Sequence, residues 1–418
     1  MGKTEGAMVE EEEIVIVGGG IAGLATALAL KRVGLSARVL ERYPELRAVG
    51  AALTLSPNAW FALRALGVDH KLTSVYHTLT KSLVTNLETG ATQEVDFAGI
   101  KDRREDAVVR PVHRKFLLQA LAEELPPDTI RFSSKLISIK SESLEDSSKA
   151  TLLHLEDGTI IKAKVVIGCD GVHSAVAQWL GLSEPMKAGR SAVRGLSVFP
   201  EGHGFKMQVR QFLSGGIRAG FIPLNSTDLY WFVIEKSSSG NPELILKEIT
   251  TNLAKDFPSD FLAVAKNTDM STLTWAPLVF RAPWSIALGQ AHSANVTVAG
   301  DAMHPMTPEI GQGGCSALED AVILARCLSH ARGVQHWPEK ALQEYVEQRR
   351  WRLAWIVACA WFFGKMQHSG GTGKEWWSGA ARWFRDRVFY GFIFSRIVDS
   401  LYFDCGDLIP AKSKALLR

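Results

Sequence analysis

Two glycine-rich segments stand where an apolar run gives way to a helix-forming one, the arrangement that presents bare backbone amides to an anion. The first is Gly18-Gly19-Gly20-Ile21-Ala22-Gly23, directly after the apolar run Ile14 to Val17. In this pattern Gly18 permits a tight turn, Gly20 lets the backbone approach a pyrophosphate, and Gly23 lets helix and strand pack closely. The amides around Ile21 and Ala22 then face the anion with the helix dipole behind them. Such a spacing alone is often a packing turn. Here Glu41 closes the next apolar run, where a carboxylate accepts a ribose hydroxyl, and that context argues for a bound dinucleotide.

The second segment runs Gly300-Asp301-Ala302-Met303-His304-Pro305-Met306-Thr307-Pro308-Glu309-Ile310-Gly311-Gln312-Gly313-Gly314-Cys315. A carboxylate at Asp301 can accept from the hydroxyls of a ribityl chain, and the amides of Gly311, Gly313 and Gly314 can stabilise charge at one edge of a reduced isoalloxazine ring. Glu309 follows Pro308 directly. It could orient a basic or hydroxylated substrate or take a proton from it, or it could be a solvated loop acid. A third segment, Gly168-Cys169-Asp170-Gly171-Val172-His173-Ser174, also follows an apolar strand, although Asp-Gly by itself usually marks a plain turn.

The elements that position these residues are legible. Ile14 to Val17, Ile21 to Val33 and Ala37 to Leu40 read as strand, helix and parallel strand, with Gly34 ending the helix. Arg114 to Leu125 has helical apolar spacing and stops at Pro126-Pro127. Leu152 to Leu155 and Ile160 to Lys164 flank Asp157-Gly158 as a hairpin. From Ser191 to about Arg281 the pattern alternates as in antiparallel strands, interrupted by a helical stretch near Leu244 to Asp256. Strand Asn295 to Ala299 returns to the first unit, and everything beyond Pro338 reads as helix out to Leu401. The expected organisation is a discontinuous nucleotide-binding domain (10–75, 106–185, 286–335), an inserted, mainly antiparallel substrate domain (76–105, 186–285) and a helical C-terminal segment (336–418). Phe212, Arg218, Phe221, Tyr230 and Phe232 lie on the inserted strands, of which alternate positions should face the flavin; the sequence leaves open which face that is and whether each is a substrate contact or, as is ordinary for aromatics in strands, core.

Composition narrows the class. The 418 residues suffice for two domains, and 47 Lys plus Arg against 44 Asp plus Glu give no electrostatic argument for nucleic acid. Five scattered cysteines without a Cys-x-x-Cys pair suggest a reducing compartment and no metal site. Residues 1–8 have no apolar core and Glu10 to Glu13 are acidic, so neither a secretory signal nor a transit peptide is expected, and the cytoplasm is the default location. No run is long enough to span a membrane. The Trp- and Arg-rich stretch Trp351 to Leu401, with Trp383 to Tyr390 at its centre, leaves peripheral membrane contact by the C-terminal helices open. Gly370 to Lys374 lacks the spacing of a phosphate loop and reads as a turn.

The three segments, in this order and at these separations, resemble the FAD fingerprint, the Asp-Gly motif and the Gly-Asp motif of single-component flavoprotein aromatic hydroxylases, the group A FAD-dependent monooxygenases. Arg47 to Ala59 and Gly311 to Asp320 are similar to the branch holding zeaxanthin epoxidase, salicylate hydroxylase and related plant monooxygenases. The resemblance implies an α/β fold with a GR2-type Rossmann-like domain, as in p-hydroxybenzoate hydroxylase. It also implies FAD reduced transiently by NADPH or NADH, and transfer of one oxygen atom from O2, through a flavin C4a-hydroperoxide, to an electron-rich aromatic or alkene metabolite. By position, Glu41 and Arg42 would lie along the adenosine, Leu136 near adenine, and Arg114 at the phosphate or ribityl region. Asp301 would hold the ribityl chain, Pro308 would line the oxygenation face, and Gly311 to Gly314 would touch the flavin edge. Asp170 would serve FAD placement and nicotinamide handling. Where the family motif has an arginine three residues after its serine, this chain has Ala177, which puts the nicotinamide role in doubt more than FAD binding. The same fold also hosts reductases and oxidases without oxygen transfer and non-catalytic flavin-bound interaction proteins. Substrate identity, and monomer versus homodimer, stay open.

Overall fold

The computed structural model describes residues 9–47, 51–97, 108–143, 149–236, 242–251, 257–368 and 400–409. Its central strand, Val9–Val17, pairs in parallel with Ile160–Gly168 on one side and Arg38–Leu40 on the other. Val296–Val298 extends the sheet beyond Ile160–Gly168, and Ile130–Arg131 extends it beyond Arg38–Leu40. The central strand begins earlier than its apolar run because the acidic residues find partners: Glu10 pairs with Arg131 (2.9 Å), Glu12 with Arg38 (2.9 Å) and Glu13 with Arg332 (3.1 Å). These pairs are part-exposed, so each contributes at most about 1 kcal/mol. The hairpin around Asp157-Gly158 pairs Lys149–Leu155 with Ile160–Gly168, and Gly158 takes the left-handed conformation the turn demands (φ 86°).

Helix Ile21–Arg32 is buried from Ile21 through Leu30 and packs against helix Gly313–His330. Burial on all sides is what its Ala- and Leu-rich sequence requires.

A second sheet has seven strands, in the order Thr274–Phe280, Met186–Val198, Asp228–Lys236, Ile217–Pro223, Gln208–Ser214, Lys81–Asn86 and Thr92–Asp96. It is antiparallel except where Gln208–Ser214 runs alongside Lys81–Asn86. The helical stretch expected near Leu244 to Asp256 is found as helix Pro242–Thr251, residues 252–256 lying outside the described ones, and a further helix not expected from the sequence, Ser259–Lys266, follows. Phe257, Phe261 and Val264 from this region cover one face of the sheet.

Of the helix expected from Pro338 to Leu401, Glu339–His368 is helical, residues 369–399 lie outside the described residues, and residues 401–409 are irregular. Gly370 to Lys374 and Trp383 to Tyr390 lie outside the described residues. Among the described residues no helix is long and apolar enough to cross a membrane, and no group of acidic, His and Cys side chains could hold a metal. All five cysteines are free and buried.

Candidate active site

The Gly18–Gly23 turn joins the central strand to the first helix and forms a cradle that side chains would fill. A Cβ on Gly18 (φ 106°) would lie 2.5 Å from the Cys169 carbonyl oxygen, and one on Gly23 would lie 1.9 Å from that of Gly18. Gly20, by contrast, faces open space within 4 Å, as close approach of a pyrophosphate needs. Glu41 Oε2 accepts from the Gly19 amide (2.8 Å) and Oε1 from the Tyr43 amide (3.0 Å), which fixes the carboxylate at the strand end with lone pairs to spare for a ribose. Arg42 is exposed, its guanidinium 4.8 Å from the Tyr43 ring. The chain entering half-buried Leu136 runs beside Glu41, through Glu41 N to Arg131 O (2.9 Å) and Ser134 N to Glu41 O (2.8 Å).

The Asp-Gly loop packs onto this cradle. Asp170 Oδ2 accepts from the Ala175 amide (2.8 Å) and lies 3.4 Å from that of Val176, while Ser174 Oγ accepts from the Ala177 amide (2.8 Å). These caps close the turn where the family's arginine is missing. Asp170 Oδ1 is buried without a hydrogen-bond partner, and burial pushes its carboxyl up despite those bonds. An acceptor left over beside the pyrophosphate turn fits a bound dinucleotide.

In the Gly-Asp segment, Gly300 turns with φ 61° and a Cβ there would sit 2.7 Å from Ala22 Cβ, so the turn is seated on the first helix. Asp301 is exposed, and near it the half-buried Arg114 is held below its ordinary value by burial, with Asp301 opposing and Arg194 adding to the shift. Arg114 Nε has no hydrogen-bond partner. Gly313 and Gly314, opening helix Gly313–His330, have their nearest neighbours 3.6–3.9 Å from a built Cβ, and Gly311 turns with φ 65°. A free carboxylate, a spare cation and open helix-start amides together suit a ribityl chain and a flavin edge.

Glu309 is not a solvated acid. Its carboxylate is fully buried and pairs with Arg190 (2.7 Å) from the substrate sheet. Strand alternation divides the five sheet candidates. Arg218, Tyr230 and Phe232 share the face turned towards Glu309: the Arg218 guanidinium lies 5.4 Å from the Phe232 ring, and the Tyr230 and Phe232 centroids are 6.2 Å apart. Burial pulls Arg218 down to about 10, opposed by nearby Glu309 and reinforced by Arg190. Its Nε donates to Gln211 Oε1 (2.8 Å), but its buried Nη1 has no partner. Burial pushes the Tyr230 phenol up, against the pull of Arg194 and Arg218, so it stays protonated at neutral pH. Phe212 and Phe221 point the other way. They pack with Trp231, Phe257 and Phe261 in the core under the helices, which removes them from the substrate face.

Two participants escaped the sequence reading, Arg190 and Arg194. They sit four apart on strand Met186–Val198, hence on one face, and that same-face spacing of two arginines was the available signal.

A family model described as an FAD binding domain matches residues 11–360. The chain is 41% identical over 423 residues to Monooxygenase 2 of Arabidopsis thaliana, covering 96% of this chain and 100% of that protein. It is 37% identical over 370 residues to Monooxygenase 1 of the same plant, covering 85% and 91%. Klebsiella pneumoniae HpxO complexed with FAD and uric acid shares the fold with a TM-score of 0.76 at 24% identity, covering 93% of this chain and 96% of that one. On these matches and the cradle above, the chain belongs to the group A FAD-dependent monooxygenases, with FAD as its cofactor.

Proposed function

We propose that this enzyme uses NADPH or NADH and O2 to hydroxylate a small, electron-rich aromatic molecule that carries a negative charge. FAD held at this site and reduced by NAD(P)H would supply the oxygen chemistry, one atom of O2 going to the ring and the other leaving as water. The chain's own residues select and orient the substrate.

The observation that carries this reading is Arg218: a buried guanidinium with an uncommitted N–H, on the same sheet face as Tyr230 and Phe232 and beside Glu309. A buried cation without a full set of partners is costly, and an anionic ligand relieves that cost. Glu309 occupies Arg190, whereas Arg218 keeps a buried N–H available to the ligand's carboxylate or enolate. Phe232 offers a ring face for stacking and Tyr230 a hydroxyl to orient a ring substituent. Pro308, exposed and immediately before Glu309, would line the side from which oxygen is delivered, as the family resemblance implies. This arrangement favours an anion over the basic substrate that Glu309 alone suggests.

The test is a panel of aromatic acids, phenols and their neutral esters, scored by stimulated NADPH oxidation and by product mass under isotope-labelled O2. Aromatic acids should stimulate turnover and gain one labelled atom, and their esters should fail. Turnover without label in any product would remove oxygen transfer; preference for the esters would remove the anion.

A further inference from the structure

Helix Glu339–His368 reaches under both flavin-facing loops through one buried ionic network. Tyr345, Arg349 and Arg352 stand four and three residues apart, so they share a helix face. Tyr345 Oη donates to Val298 O (3.2 Å), in the strand that leads into Gly300. Arg349 Nε donates to Asp320 Oδ1 (2.7 Å) and Nη1 pairs with Glu319 Oε2 (2.7 Å), all three residues having no exposed side-chain surface. Arg352 clasps Glu319 from the other side (2.8 and 2.6 Å).

Each carboxylate then contacts a different flavin-facing loop. Asp320 Oδ2 accepts from the Gly300 amide (2.9 Å) and lies 2.6 Å from His304 Nε2, so both ends of the turn carrying Asp301 hang from this one group. Burial alone would raise the Asp320 carboxyl, but His304 and Arg349 hold it well below the usual carboxylate range. Glu319 Oε1 accepts from Asn58 Nδ2 (2.5 Å), which also donates to Gln312 Oε1 (2.8 Å), between Gly311 and Gly313. Two carboxylates and two guanidiniums balance in charge, so no helix-to-helix attraction requires a link to the loops. The links exist nonetheless, and they end on the backbone amide and the side chain that flank Asp301 and Gly313.

We propose that Arg349 and Asp320 are positioning residues for FAD: by way of the Gly300 amide and His304 they hold the Asp301 turn in its flavin-binding geometry, which makes the long helix part of the cofactor site. This stands apart from the substrate reading above. It concerns the binding and electronics of the flavin, whatever the substrate.

The experiment compares Asp320→Asn, the milder Arg349→Lys, and Leu342→Ala, at a fully buried apolar residue of the same helix that takes no part in the ionic network. Each apoprotein is titrated with FAD by flavin fluorescence, and the reduction potential and visible spectrum of the bound flavin are recorded beside thermal unfolding. Asp320→Asn and Arg349→Lys should weaken FAD on the order of tenfold, as loss of a partner that orients a direct ligand does, and shift the potential and the spectrum. Leu342→Ala should lower thermal stability, as a large-to-small core change does, and leave all three flavin readouts at wild-type values. The proposal is overturned if Arg349→Lys and Asp320→Asn lose stability while keeping wild-type FAD affinity and potential. It is equally overturned if Leu342→Ala perturbs the flavin as much as they do. Should Asp320→Asn fail to fold, Arg349→Lys against Leu342→Ala decides the matter.

Discussion

The cradle at Gly18–Gly23 and the proposed substrate face around Arg218 suit an anion in opposite ways. The cradle uses backbone amides, with no side chain where the ligand sits, and its tolerances are steric: a Cβ at Gly23 meets a carbonyl oxygen at 1.9 Å. The substrate face uses buried guanidiniums from separate strands, with tolerances that are electrostatic: Arg190 is neutralised by Glu309, while Arg218 keeps an unpaired N–H. Backbone recognition is fixed by a few contiguous residues and is shared by relatives that differ in substrate. Side-chain recognition is assembled from afar and can change with a single strand position.

That contrast can be broken most sharply at Gly23. Gly23→Val places its side chain against backbone that cannot move aside, and the purified protein should be colourless, with FAD affinity reduced by at least about 100-fold. A yellow variant with stoichiometric FAD would end the steric account of the cradle. Arg218→Met should do the reverse. Flavin content stays at wild type, while kcat/KM for the preferred acid falls about 10- to 100-fold, the worth of a hydrogen bond to a charged group. Glu309→Gln probes the same face, and unchanged substrate affinity and hydroxylation rate would remove Glu309 from the mechanism.

The smallest expected effect lies at the joint between the two regions. Tyr76 Oη lies 2.8 Å from His113 Nδ1, and His113 Nε2 lies 3.3 Å from Asp228 Oδ2, at the start of the strand that carries Tyr230. Burial holds the His113 imidazole below its ordinary value, with Asp228 opposing. The sign follows: the unfolded chain binds a proton near pH 6.5 that the folded chain resists. The contribution is therefore present above about pH 6.5 and is lost as pH falls below it towards the lower folded value. His113→Gln should flatten the decline in Tm between pH 7 and pH 5.5 by roughly a few degrees, a slope that calorimetry resolves. An unchanged slope would show that the joint does not titrate in this range.

Legibility followed the same division. The pyrophosphate turn, Glu41, the Asp-Gly loop and the Gly-Asp segment could be read because each is a run of local geometry whose neighbours in sequence are its neighbours in space. Phe212 and Phe221 could not be separated from Tyr230 and Phe232, because period-two alternation says that faces differ without saying which face meets the flavin domain. Glu309 looked exposed as a loop acid, and became buried only because Arg190, from a distant strand, arrives to pair with it.

The sequence by itself pointed to a bound dinucleotide, because glycine spacing and helix starts fix backbone amides without help from elsewhere, and its family resemblance implied that the dinucleotide is FAD. Only the tertiary structure decided that Arg218 keeps a buried N–H without a partner, that Glu309 is already spent on Arg190, and that the long helix carries Arg349 beneath the loop of Gly300 and His304. Those are contacts between residues 29 to 119 positions apart, as Arg349 to Asp320 and Glu309 to Arg190 show. Charge pairing over such separations is settled by packing, since a guanidinium and a carboxylate carry no local signal of which partner the fold will bring to them.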